Sequence, residues 1–267
     1  TGAHLVAVGT AASPILLTAL VPADKWLGVH FTDATADNLS VMEHCIVEYG
    51  GRGGEILRAN VWGDAAAPTL RHLTLRKGRH GLSISSASPT AENITAQQNE
   101  NGIYLQNASA FIQNSVIQNN TKSLSSMDLF SGSTRLAGLT HSGNANEFIQ
   151  IREGTLDRSI TLKKQEVPYQ VLGNLIVAGT PAAPAVLTIE PGVEMRFSPF
   201  PSTAGLTIGS ATAQGALAAR GTPADPILFT STDDSDFFGW TGVSFNTLPA
   251  ANWRKNFFQR KPVTTRP

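Results

Sequence analysis

The sequence contains little cysteine and little charge. Cys45 is its only cysteine, and charged side chains make up 15% of its 267 residues. A single cysteine excludes an internal disulfide and a metal site built from several cysteines. The 20 basic and 20 acidic side chains cancel, so there is no net positive charge to favour nucleic acid as a partner.

Long apolar runs are missing as well. The stretch around Pro14 to Leu20 is far shorter than the roughly 20 residues that a membrane helix needs, so we expect no membrane span. The chain opens Thr-Gly-Ala-His, so an export signal is either absent or already removed. What the sequence does have is 24 glycines, 15 prolines and 41% hydrophobic residues, a composition typical of a packed, turn-rich fold.

The middle of the chain contains an internal repeat of 21 residues. Five columns share this step: Val61, Leu82 and Ile103; Pro68, Pro89 and Ala110; Leu70, Ala91 and Ile112; His72, Asn93 and Asn114; Leu75, Ala96 and Ile117. Each copy alternates apolar and polar residues in short strands, with no helical periodicity. A β-rich repeat of this length predicts an all-β solenoid, a parallel β-helix with coils of about 21 residues.

The column of His72, Asn93 and Asn114, extended back to His44, lies between two predicted strands, where the chain must turn. Asparagine suits this place because it tolerates left-handed backbone and its amide can bond to the next coil. The position in the turn therefore accounts for both histidines without a catalytic role. Cys45, beside the turn, is predicted to be a small buried apolar residue.

A second similarity joins the two ends of the chain. Residues 5–18 (LVAVGTAASPILLT) match residues 217–230 (LAARGTPADPILFT), and residues 26–31 (WLGVHF) match residues 240–245 (WTGVSF). The offset changes from 212 to 214 between the two matches, so the similarity continues across a loop. One long unit therefore recurs.

Four motifs stand out in the second half of the chain: LTIEPGV at residues 187–193, GAL at 215–217, GTPADPILFTS at 221–231 and GWTGV at 239–243. They resemble motifs of secreted bacterial right-handed parallel β-helix proteins of the pectin-lyase-like class. The resemblance implies the scaffold and export, and with them a secreted or cell-surface location. It does not imply one activity, because unrelated functions share this fold.

The resemblance also divides the chain. Residues 1–160 look like the continuation and end of one unit, residues 161–250 like the start of a second, and residues 251–267 form an irregular basic tail. A β-helix that ends in mid-coil exposes unpaired strand edges. We therefore predict homo-oligomers formed by end-to-end or complementing stacking of β-helix coils.

A candidate ligand-binding surface follows from strand alternation. Trp62, Ser83 and Tyr104 should form one exposed column, with His30 at the equivalent place in an earlier strand. Aromatic rings on such a column can stack on sugars. Polysaccharide or cell-surface glycan is therefore the predicted partner, although isolated surface aromatics are also common without function.

Basic residues lie near this column in the sequence. Arg58, Arg76, Arg79 and His80 could contact the carboxylates of an acidic glycan. A uronate lyase would use such a Lys or Arg to neutralise the substrate and remove a proton. The alternation pattern places Arg71 and Arg76 on different strands, however, and a run of charged residues usually forms only a solvent-exposed surface.

Two other chemistries remain open. Esterase activity would use Ser83 with His72 or His80, although no nucleophile-elbow motif singles out a serine. A hydrolase needs paired carboxylates, and the tightest acidic cluster is Asp233, Asp234 and Asp236. The same cluster is a possible Ca²⁺ loop, and a plain polar turn is a third interpretation. No other cofactor or metal is expected.

The sequence thus favours a secreted or surface β-helix module for non-catalytic polysaccharide binding or adhesion. The alternative is a carbohydrate-active enzyme on the same scaffold, an esterase or other hydrolase before a lyase. A structural stalk segment is a third interpretation.

Overall fold

The protein is described here by a computed structural model that covers residues 2–180, 182–199, 202–233 and 239–246. These residues form 28 short strands in five sheets, and the strands pair in parallel throughout the described ranges. The structure confirms the predicted all-β parallel β-helix.

The strands are arranged in the following sheets. Sheet 1 contains β1 (Val6–Val8), β4 (Val41–Glu43), β7 (Thr69–Arg71), β10 (Thr90–Glu92), β13 (Phe111–Gln113) and β16 (Arg135–Ala137). Sheet 2 contains β2 (Ile15–Leu17), β5 (Cys45–Glu48), β8 (Thr74–Arg76), β11 (Thr95–Gln97), β14 (Val116–Gln118) and β17 (Thr140–Ser142). Sheet 3 contains β3 (Val29–Phe31), β6 (Val61–Asp64), β9 (His80–Ser85), β12 (Asn101–Gln106), β15 (Ser123–Met127), β18 (Ile149–Ile151), β21 (Tyr169–Val171), β24 (Glu194–Phe197) and β27 (Leu228–Ser231).

Two smaller sheets complete the solenoid. Sheet 4 contains β19 (Gly154–Leu156), β22 (Asn174–Val177), β25 (Gly205–Ile208) and β28 (Val243–Phe245). Sheet 5 contains β20 (Ile160–Leu162), β23 (Ala185–Ile189) and β26 (Gly215–Ala219). Short 3-10 helices lie at Pro22–Asp24, Asp37–Leu39 and Leu129–Ser133.

Each coil of the solenoid contributes one strand to each of three faces. Successive strands enter sheets 1, 2 and 3 as far as β18, and then sheets 4, 5 and 3 from β19 onward. Sheets 1 and 2 end before residue 143, whereas sheet 3 continues from β3 to β27. The division of the chain at residue 160 stays a prediction, and the tail 251–267 lies outside the described residues.

The core is a stack of inward columns that follow the sequence repeat. Val61, Leu82 and Ile103 are in register on sheet 3 and are almost fully buried. Gly102 lies so close to the Ile117 side chain that a Cβ atom would overlap it, so this position needs glycine. Cys45 is buried as predicted, and burial raises the pKa of its thiol.

The turn between sheets 1 and 2 has the predicted left-handed backbone. His44, His72, Asn93 and Asn114 have φ angles of 50°, 52°, 55° and 51°. This conformation explains the column without reference to chemistry.

A second asparagine column, at the turn between sheets 2 and 3, adds side-chain hydrogen bonds between coils. The Asn120 Oδ1 atom accepts from the Asn99 backbone N–H at 3.0 Å, and Asn144 Oδ1 accepts from the Asn120 side chain at 2.7 Å. These amides are buried and satisfy backbone groups that water cannot reach.

Asn60 completes this asparagine column from outside the 21-residue register. The register places Gly78 on the rung before Asn99, and a Cβ atom at Gly78 would lie within 3 Å of the Asn60 amide. The Asn60 Nδ2 atom donates to Asn99 Oδ1 at 3.0 Å, and its Oδ1 accepts from the Gly50 N–H at 2.8 Å. Asn60 therefore occupies the space of the side chain that Gly78 lacks.

The two similar ends of the chain fold onto different faces. Residues 5–18 supply β1 and β2, in sheets 1 and 2, whereas residues 217–230 supply parts of β26 and β27, in sheets 5 and 3. The matched segments are thus displaced by one face of the coil relative to each other.

Candidate functional site

The predicted column on sheet 3 has the expected register. His30 pairs with Trp62, Trp62 with Ser83, and Ser83 with Tyr104. The predicted exposure is wrong, because Trp62, Ser83 and Tyr104 are only 6%, 1% and 4% exposed. Of the column, only His30 is exposed.

Neighbouring side chains cover the two aromatic rings. His30 stacks on Trp62 with ring centroids 3.3 Å apart, and His80 stacks on Tyr104 at 4.5 Å. The Arg152 guanidinium lies 4.2 Å from the Tyr104 ring centroid and donates to Ser126 Oγ and the Leu105 carbonyl. The ring faces that were expected to stack on sugars are therefore occupied by protein groups.

Two buried polar atoms on this column lack partners. Trp62 Nε1 and Ser83 Oγ, on adjacent rungs, have no hydrogen-bond partner within the part of the chain that the structure describes. A buried polar atom left unpaired costs about 1–3 kcal/mol. Among the described residues, no histidine therefore hydrogen-bonds to Ser83 Oγ, as an esterase pair would require.

His80 is held by two hydrogen bonds that occupy both ring nitrogens. Its Nε2 lies 2.8 Å from the Ile56 carbonyl, and its Nδ1 lies 3.0 Å from Asn101 Nδ2. Because an amide NH₂ can only donate, Nδ1 is the acceptor and Nε2 carries the proton in the neutral ring. Burial lowers the pKa of His80 to about 4, so the ring is neutral near pH 7.

The segment from residue 50 to 59 accounts for this burial. Its carbonyl at Ile56 binds His80, and those at Gly53 and Glu55 accept from Arg79 Nη1 at 3.3 and 3.0 Å. Arg79 also borders a groove of about 470 Å³, together with Asp24, Lys25, Arg52 and Glu100. These charges are of both signs, so the groove does not select an anionic ligand by charge alone.

The predicted basic cluster is split between faces. Arg76 lies on sheet 2 and donates from Nε to Glu48 at 2.7 Å. Although burial opposes ionisation of Glu48, hydrogen bonds from Arg76 and Thr18 lower its pKa. Arg76 is thus part of an ion pair on a different sheet from Trp62 and Tyr104, which corrects the prediction of one shared surface.

The structure does not assemble the Ser83 and His72 esterase pair, and the carboxylate hydrolase cluster stays a prediction. His72 lies in the turn between sheets 1 and 2, whereas Ser83 lies on sheet 3, so the Ser83 and His72 pair is not formed. Asp233 is exposed, and its backbone N–H donates to Ser231 Oγ. Asp234 and Asp236 lie outside the described residues, so the Ca²⁺ loop stays a prediction.

A row of amides and an arginine, which the sequence did not reveal, continues the same outward column. Gln150, Gln170 and Arg196 are in register on β18, β21 and β24, and all three are half-buried. Gln150 Nε2 donates to Gln170 Oε1 at 3.1 Å, and Asn146 Nδ2 donates to the same oxygen at 2.6 Å. We call Gln150, Gln170 and Arg196 the amide row.

The arginine of the amide row lies over an aromatic ring. The Arg196 guanidinium is 5.3 Å from the Phe148 ring centroid, and its Nε donates to Glu194 at 2.6 Å. The Nη atoms of Arg196 have no hydrogen-bond partner among the described residues. The arrangement offers amide donors and acceptors, a guanidinium edge and an aromatic ring on one face of sheet 3. These groups are suited to hydroxyl and carboxylate recognition.

The fold and its side chains define a parallel β-helix with polar ladders on its outer faces. Comparison with protein-family models, with curated proteins and with solved structures finds no match for this chain. No helix in the described residues is long and apolar enough to cross a membrane.

Proposed function

We propose that this protein is a secreted or cell-surface β-helix module, of the pectin-lyase-like type, that binds polysaccharide without cleaving it. The amide row is the observation that carries the proposal. Its three side chains repeat along the solenoid axis at the spacing of the coils, about 4.8 Å. A polymer lying along this axis would meet equivalent hydrogen-bonding groups on successive rungs.

The chemistry of the row favours a hydroxyl-rich and acidic glycan. Gln150 and Gln170 supply amide groups. The Nη edge of Arg196, which has no hydrogen-bond partner among the described residues, can bind a carboxylate in two-point fashion. The state of His80 supports binding rather than turnover, because both of its ring nitrogens are already engaged.

The test combines binding and turnover. The purified protein is screened on a glycan array, and affinity for the best acidic polysaccharide is measured for Gln170→Ala and Arg196→Ala. Both variants should bind at least tenfold more weakly than the wild type. Incubation of the wild type with the polysaccharide should release no reducing ends, unsaturated uronates or acyl groups.

Sheet 2 offers a matched control. Gln118 Nε2 donates to Gln97 Oε1 at 2.8 Å, so the same amide pair exists on another face. Gln118→Ala should leave binding unchanged. Equal weakening in this variant would refute the assignment of the glycan to sheet 3. Turnover by the wild type would favour the carbohydrate-active enzyme instead.

End-to-end association is the second part of the proposal. The edge strands β1 and β2 expose Val6, Val8 and Leu16, which are 62%, 52% and 54% accessible. Unpaired parallel edges with apolar side chains favour pairing with another β-helix end. Light scattering over a concentration series should detect dimers or higher oligomers. A monomer at all concentrations would refute end-to-end association.

A further inference from the structure

His44 and His72 occupy a turn position that does not need histidine. The next two coils place Asn93 and Asn114 there with φ angles of 55° and 51°, close to the 50° and 52° of the histidines. Asparagine meets the backbone requirement at this position. The two imidazoles on adjacent rungs are therefore available for another role.

The two rings and a carboxylate converge at this turn. The His44 and His72 rings are stacked, with centroids 4.6 Å apart and planes inclined by 13°. Glu43 immediately precedes His44, and one ligand atom from each of the three residues lies within 4.8 Å of the others. His72 is exposed, and Glu43 and His44 are half-buried, so solvent ions reach the group.

This donor set matches a zinc ion. Two imidazole nitrogens and one carboxylate oxygen form a common three-ligand arrangement for Zn²⁺, in which water takes the fourth position. Bond lengths of 2.0–2.1 Å in a tetrahedron require ligand atoms about 3.3 Å apart. Bringing the present atoms to that separation needs a shift of about 1.5 Å, which an exposed imidazole makes by rotating its side chain.

Arg71 is placed to support the carboxylate rather than to block it. Its Nη2 donates to Glu43 Oε2 at 2.9 Å, and Oε1 has no hydrogen-bond partner among the described residues. The Oε1 atom can therefore bind a metal while Oε2 keeps its contact with Arg71. Outer partners of this kind orient ligating carboxylates.

We propose that Glu43, His44 and His72 bind one Zn²⁺ ion on the surface of the solenoid, with solvent at the open position. The ion would connect strand β4 and its turn to the turn of the next coil, and so link two rungs that backbone hydrogen bonds already hold. The open position would accept a water molecule or an anionic oxygen of a ligand.

The test measures Zn²⁺ binding to the chelator-treated full chain by titration calorimetry, and the Zn²⁺-dependent rise in Tm. We expect one ion per chain and a positive Tm shift. His44→Asn and His72→Asn keep the residue that the neighbouring coils use, so the turn should fold. Each should weaken binding at least tenfold and remove the Tm shift, and Glu43→Gln should weaken it several-fold.

His141→Asn is the matched control, because His141 lies on strand β17, in a later coil, and its Nδ1 is 2.8 Å from a carboxylate oxygen of Glu147. It should bind Zn²⁺ like the wild type. Wild-type affinity in both His44→Asn and His72→Asn, or an equal loss in His141→Asn, would overturn the proposal. So would the absence of any binding to the wild type. As a further readout, Co²⁺ in place of Zn²⁺ should give a tetrahedral absorption spectrum that both asparagine variants lose.

Discussion

Asn99 is a buried side chain whose removal should strongly destabilise the solenoid. It is 1% exposed, and its amide makes three hydrogen bonds within the stack. Oδ1 accepts from the Gly78 N–H at 2.8 Å and from Asn60 Nδ2 at 3.0 Å, and Nδ2 donates to the Leu75 carbonyl at 3.0 Å. Asn99→Ala would remove a partner from all three groups at once.

The magnitude follows from these contacts. Each buried group left without a partner costs about 1–3 kcal/mol. Asn60 keeps its hydrogen bonds to the Arg76 carbonyl and the Gly50 N–H, so the cost of losing its bond to Asn99 is at the low end of this range. We therefore expect Asn99→Ala to reduce the free energy of unfolding by about 3–7 kcal/mol, a large share of the roughly 5–15 kcal/mol typical of a domain.

The assay is urea unfolding followed by far-UV circular dichroism, with calorimetry to check whether unfolding is two-state. Gln106→Ala is the control, because Gln106 is an exposed amide on β12 whose side chain makes no hydrogen bond within the described ranges. It should change stability by less than about 0.5 kcal/mol. If the free energies of unfolding of Asn99→Ala and Gln106→Ala differed by less than about 1 kcal/mol, the asparagine column would not be a major source of stability.

Three further predictions concern single sites. Ser83→Ala should leave the free energy of unfolding unchanged or raise it by about 1 kcal/mol, because the buried hydroxyl has no hydrogen-bond partner in the described structure. A clear loss of stability in urea unfolding would contradict this. The pKa of His80, about 4 against 6.5 when unfolded, means that the unfolded chain binds the extra proton. Stability should therefore fall as pH drops from about 6.5 to 4, by about 3 kcal/mol in total, and His80→Asn should flatten that part of the pH profile. Gly78→Asn should be destabilising alone, because Asn60 fills its space, and the loss should shrink when Asn60→Gly is added; an additive double-mutant cycle would contradict this.

The coil register was predictable because it depends on backbone pairing. The 21-residue step predicts the pairing of Leu82 with Ile103, and the structure has it. The left-handed turn at His72 and Asn93 was predictable for the same reason, since the type of residue there reflects the backbone.

Other features depend on contacts that the repeat does not encode. The link from Asn120 to Asn144 spans 24 residues, so the asparagine column leaves the 21-residue step. Asn60 enters that column from a different sequence position, and no fixed spacing could indicate it. The amide row lies beyond the region where the period holds, and so Gln150 and Gln170 were not identified.

Exposure on an outer face was the least predictable property, and it determines where a ligand can bind. Strand alternation establishes that Trp62 and Tyr104 point outward, but residues 50–59, His30 and Arg152 decide whether solvent reaches that face. The same column continues to Gln150 and Gln170, which remain half-exposed. The polymer of the proposed function would need several accessible rungs in succession, and the later coils meet that requirement better than the aromatic rungs do. The aromatic rungs are buried by His30, His80 and Arg152 and so form a second, outer packing layer on the same sheet as the amide row.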